Sequence, residues 1–174
     1  MRFYCTDDTV DLEQYPYHVR DVHISDPFIL ADPKSRCYYT YVQFADTERF
    51  PDVETDKEHG VFYVLESKDL IHWSKPQIRQ NNFWADKDYW APEVHIWKGR
   101  YYLFSSFRAD GHYRKCQCLV SDSPKGPFEP IRQEAVTPDG WQSLDGTLYV
   151  DRSGKPWMVF CHEWLQVGDG QICA

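Results

Sequence analysis

Three carboxylates stand at comparable places along the chain: Asp26 in S-D-P-F-I-L, Glu93 in W-A-P-E-V-H-I-W and Asp145 in S-L-D-G-T-L-Y-V. Each leads into an apolar strand. A carboxylate in such a setting costs free energy unless it is paired or used. Pro27 has no N–H to give a ladder, which puts Asp26 at a strand mouth rather than within a central strand. A turn-capping aspartate is the plain alternative for Asp26 taken alone. The recurrence of the pattern argues for more, because clustered carboxyl groups are what general acid–base chemistry uses.

The elements that must position these acids repeat. Asp26 precedes Tyr38 by twelve residues, and Asp145 precedes Trp157 by twelve. Both segments read carboxylate, apolar strand, Asp-containing turn, aromatic strand. Between them Glu93 takes the carboxylate place, and a Lys98-Gly99 turn shortens the hairpin. The later strands recur as well, in G-V-F-Y-V-L-E-S-K-D-L-I-H-W-S from Gly60 and K-C-Q-C-L-V-S-D-S-P-K-G-P-F from Lys115. Each gives a strand, a serine with a charged turn, then an aromatic opening a short outer strand. Helical periodicity is almost absent; Leu12 to Val19 suggests a turn and nothing longer. Four-stranded units repeated in sequence predict an all-β propeller, whose innermost strands bring their mouths to one axis. The predicted blades are 22–80, 88–135 and 141–174, within a single incomplete propeller domain over 1–174.

Composition excludes other classes. The net charge of −8 argues against nucleic acid and anionic membrane as partners. No run of 18 apolar residues is present to span a membrane. The N-terminal residues carry no signal-peptide core, which points to the cytoplasm and leaves an extracellular setting open. Aromatics make up 17% of the chain, a composition that suits strands and sugar-stacking surfaces. Six cysteines show no zinc spacing and read as reduced thiols. The scattered histidines suggest no metal site, and Asp46 to Gly60 reads as a solvated hairpin loop.

Five motifs in order, S-D-P-F-I-L, S-K-D-L-I-H-W, W-A-P-E-V-H-I-W-K-G-R-Y-Y-L-F, S-D-S-P-K-G-P-F and L-D-G-T-L-Y-V-D-R-S-G-K-P-W, resemble glycoside hydrolase family 43 from about Val22 to Ala174. That resemblance implies a five-bladed β-propeller of four-stranded antiparallel blades, present here as an incomplete arc. It implies inverting hydrolysis of arabinofuranosides or xylosides. Asp26 matches the family's general base. Asp145 matches the aspartate that orients the acid and shifts its pKa. The acid is a glutamate, which in many members starts a fourth blade that these residues do not contain; within this chain the candidate is Glu163, in C-H-E-W-L-Q. An inverting enzyme sets base and acid roughly 6.5–9.5 Å apart so that water fits opposite the leaving group. The acid keeps its proton near neutral pH through burial and a nearby negative charge, which Asp145 would supply.

Substrate contacts are expected from Glu93, Trp84, Trp90 and His162. Core packing is the equal alternative for each tryptophan, and hydrogen bonding to neighbouring backbone is the alternative for Glu93. The expected partner is an oligosaccharide or polysaccharide. No cofactor is required, and this sequence gives no support to a structural calcium at the propeller axis. A non-catalytic carbohydrate-binding propeller fragment is the competing reading. A protein-interaction propeller is disfavoured, because it has no need of acids at successive inner-strand mouths. An incomplete arc leaves blade faces and the edge after Cys173 without partners, so missing blades or self-association are also expected.

Overall fold

The computed structural model describes residues 10–22, 24, 26–42, 62–79 and 84–174. The expected loop from Asp46 to Gly60, together with Cys5, His23 and His59, lies outside the described residues.

Three antiparallel sheets follow one another along the chain. The first contains β1 (Tyr17–His18), β2 (Ile29–Asp32), β3 (Cys37–Val42), β4 (Phe62–Ser67), β5 (His72–Trp73) and β6 (Gln77–Arg79). β2, β3 and β4 pair in order, and β5 and β6 pair with successive parts of β4. Two differences from the sequence reading stand out. The first strand starts at Ile29 rather than near Ile24, because Pro27 has no N–H and Asp26 takes a left-handed φ of 50°. The segment expected to be only a turn supplies β1, which pairs Tyr17 with Trp73 and His18 with His72.

The second sheet runs β7 (Lys87–Trp97), β8 (Arg100–Arg108), β9 (Lys115–Ser121) and β10 (Glu129–Pro130). Its first hairpin closes over Lys98-Gly99, with φ values of 48° and 80°. Two successive left-handed residues match the natural twist of paired strands, and the glycine takes its place without a Cβ penalty. The third sheet is β11 (Ser143–Val150), β12 (Pro156–His162) and β13 (Gln171–Cys173).

Aromatic burial joins the first two sheets. Phe62, Tyr89 and Phe107 are almost wholly buried, with ring centroids 4.9 Å (Phe62–Tyr89) and 4.8 Å (Tyr89–Phe107) apart. Each such side chain contributes roughly 1.5–3 kcal/mol by leaving water. Tyr41 donates its hydroxyl across the interface to the carbonyl of Pro124 at 2.7 Å. The inner strands β2, β7 and β11 adjoin, and that is what brings their mouths together. Among the described residues no helix is long and apolar enough to cross a membrane.

Candidate active site

Asp26 and Asp145 share an unusual backbone. Their φ values are 50° and 55°, a left-handed conformation that is rare outside glycine and that aspartate tolerates better than most. Asp26 lies three residues ahead of β2. Asp145 sits within β11 at an irregularity in its pairing with β12, between Leu144 and Thr147. Its N–H donates to Ser106 Oγ of β8 at 3.0 Å. The next residue must be small: a Cβ on Gly146 would lie 3.2 Å from Cys116 Cβ and 3.3 Å from Met158 Sδ.

The corresponding left-handed residue in the second sheet is Ala91, with φ 46°. Glu93 lies two residues deeper, so it does not hold the same place as the two aspartates. Its carboxylate accepts the Thr147 hydroxyl at 2.6 Å and pairs with His95 Nε2. Burial pushes the Glu93 carboxyl up, but the bonds from His95 and Thr147 outweigh it and hold the group below its ordinary value. Glu93 therefore ties β7 to β11. Phe28, two residues after Asp26, packs on His95 at 5.5 Å and joins β2 to the same knot.

Asp145 behaves in the opposite way. Its carboxyl is held above the ordinary aspartate value, first by burial and then by the negative charges of Asp26, Glu163 and Glu93, with Arg114 acting against them. Among the described residues nothing donates a hydrogen bond to this carboxylate. Four acids from three sheets thus share one electrostatic neighbourhood, with Asp145 at its centre.

Glu163 does not sit as a proton donor should. Its side chain is only 3% exposed, and its Oε1 accepts from Arg114 Nη1 at 3.1 Å. The loop after β12 brings it into the electrostatic neighbourhood of Asp145, and the ion pair with Arg114 holds it within the protein. His162 is likewise withdrawn. Its ring stacks on Trp141 at 4.0 Å and 9°, and its Nε2 pairs with Gln166 at 3.0 Å. Trp90 remains 39% exposed. The Arg114 guanidinium covers its ring at 3.8 Å. Trp84 packs against the main core and, with His112 and Lys115, lines a separate cavity of about 340 Å³.

Sequence reasoning missed Arg114, Asp88 and Ser106. Arg114 opens no motif; it lies just before β9 in H-Y-R-K, a setting that looks like any solvated charge. Among the described residues no group of three or more His, Cys, Asp and Glu side chains is placed to hold a metal ion. The five described cysteines are free thiols.

Antiparallel blades in succession, with acids meeting where their inner strands open, define an arc of a β-propeller built around a carboxylate cleft. The chain belongs to the glycosyl hydrolases family 43, whose family model matches residues 18–174. It is 30% identical over 155 residues to xylosidase/arabinosidase 43A of Humicola insolens, covering 86% of this chain and 39% of that protein. It superposes on the crystal structure of an endo-arabinase from Bacteroides thetaiotaomicron with a TM-score of 0.76 and 40% identity, covering 91% of this chain and 52% of that one. A thermostable family-43 glycoside hydrolase shares the fold at a TM-score of 0.66 and 24% identity, covering 86% of this chain and 46% of that one. The chain therefore spans about 39% to 52% of the length of these proteins.

Proposed function

We propose that the protein hydrolyses glycosidic bonds in arabinose- or xylose-containing polysaccharides or oligosaccharides, with inversion at the anomeric carbon. Asp26 is the general base. It is exposed at the cleft, so a water can reach it, and a carboxylate there takes the proton as that water attacks. Asp145 orients the acid and raises its pKa by presenting a negative charge that no hydrogen bond from the described residues neutralises. The proton donor is a carboxyl group approaching the open side of Asp145. By family resemblance it is a glutamate starting a further blade, not Glu163. Trp90 offers an aromatic face to the C–H face of a sugar ring.

The single observation that carries this reading is the raised proton affinity of Asp145 among Asp26, Glu163 and Glu93. Acids whose environments push their pKa values apart are the pattern of paired acid–base catalysis. Similarity to an endo-arabinase and a xylosidase/arabinosidase supports the pentose assignment.

The test is to incubate the full-length protein with nitrophenyl arabinofuranoside, nitrophenyl xyloside and arabinan, following the anomeric protons by NMR. Release of the inverted sugar is expected. Binding without release would leave a carbohydrate-binding propeller. Release with retained configuration would contradict the roles given to Asp26 and Asp145.

A further inference from the structure

Arg114 has more functional contacts than any one role given so far explains. Its Nε lies 3.2 Å from Asp88 Oδ2 of β7, and its Nη1 lies 3.1 Å from Glu163 Oε1 beyond β12. Its guanidinium carbon lies 3.8 Å from the centre of the Trp90 ring. The side chain is only 16% exposed. One planar cation thus holds an acid on each of two blades and backs one face of the half-exposed Trp90 ring. Ser106 closes the circuit: it pairs with Trp90 in the sheet and accepts the N–H of Asp145.

We propose that Arg114 is the positioning residue of the cleft, fixing Trp90 as the sugar platform and fixing the charge that faces Asp145. The proposal rests on the hydrolase reading for its substrate but not for its geometry. Arginine suits the task because its fork reaches two carboxylates in fixed directions while its flat face stacks on indole; lysine offers charge without either. Glu163 and Asp88 anchor Arg114 against the Trp90 ring. Arg108, 3.1 Å from the same Asp88 oxygen, completes the charge balance on that side. The charged groups facing Asp145 are Asp26, Glu93, Glu163 and Arg114, with the Cys116 thiol behind it. Arg114 is the sole cation among these.

The two functions of the residue separate in two variants. In the full-length protein, carbon-detected NMR of the Asp145 carboxyl is followed through a pH titration. Arg114→Met removes the cation, so Asp145 should take up its proton at higher pH than in the native protein, and the pH–rate profile should move upward with it. Arg114→Lys keeps the charge, so the Asp145 titration should stay near native. Its loss should fall on substrate binding, with KM rising more than kcat falls. A misplaced platform of this kind costs about 10²-fold in kcat/KM. An unmoved Asp145 titration in a folded Arg114→Met protein would overturn the electrostatic role. Native kcat/KM in Arg114→Lys would overturn the platform role, and remains decisive if the methionine variant does not fold. If the unmutated protein lacks glycosidase activity, the hydrolase reading fails while the titration still decides the place of Arg114.

Discussion

Two groups of acids in this molecule are treated in opposite ways, and the more exposed one is the one whose carboxyl is pushed up. One lies between the first and second sheets, away from the cleft. There Asp32 accepts from the Ser35 hydroxyl at 2.7 Å, the Ser35 N–H at 2.9 Å, the Tyr101 hydroxyl at 3.0 Å and the Lys34 N–H at 3.3 Å. Glu66 accepts from Tyr15 at 2.6 Å and pairs with Lys125. Burial pushes both carboxyls up, but these donors outweigh it and hold each below its ordinary value. The other group is the axial cleft, where Asp145 has no such donor among the described residues and is pushed up. Burial is therefore not what marks the functional acid. Among the described residues, Asp145 is set apart by its lack of donors and by the acids around it, and a carboxylate without hydrogen bonds keeps its field for whatever enters the cleft.

The largest expected effect is on turnover. In the active full-length protein, Asp26→Asn should lower kcat by about 10²–10⁴-fold, the usual contribution of a general base. Melting should be unchanged, since Asp26 is exposed and supports no packing. Full activity in that variant would remove Asp26 from the mechanism. Asp32→Ala should do the reverse. It strands the buried Tyr101 hydroxyl, costing about 1–3 kcal/mol, and removes the cap on the Ser35 turn. Thermal denaturation should show that loss, with kcat per folded molecule preserved.

A smaller effect sharpens the contrast through pH. Glu66 has a lowered folded pKa, so its contribution to stability is present above its unfolded pKa and fades as pH falls through the folded value. Asp145 has a raised folded pKa, so its contribution is present below its unfolded pKa and is lost as pH rises through the folded value. Urea melts from neutral pH down to strongly acidic conditions should therefore diverge. Glu66→Gln should cost least, relative to the native protein, at the acid end. Asp145→Asn should gain most, relative to native, above the range where Asp145 ionises. Parallel curves would erase the distinction. The smallest effect is expected from Tyr15→Phe, which removes one donor from Glu66 and should cost about 1 kcal/mol.

The sequence made the hairpins legible because their signals are local. Lys98-Gly99 forms the predicted tight turn. Asp151, expected in a turn, caps its own hairpin through Ser153 N–H at 2.8 Å and Lys155 N–H at 3.0 Å. Recurrence also marked Asp26 and Asp145, which share a left-handed backbone, one just ahead of β2 and the other at an irregularity inside β11. What was not legible depends on which side chains meet across sheets. Glu93 takes the carboxylate place by leading into an apolar strand, and the left-handed φ of Ala91 shows it two residues deeper than the aspartates. Glu163 is held by Arg114, which lies 49 residues away in sequence. His162 and Trp141 meet by the same kind of long-range packing.

The most direct test is a carboxyl NMR titration that follows Asp32 and Asp145 in one sample. The two residues are the same amino acid and differ in their donors and in the acids around them. Asp145 should titrate above the ordinary aspartate range and Asp32 below it. Asp145 titrating at or below Asp32 would contradict the claim that this cleft keeps a carboxylate unsatisfied for catalysis.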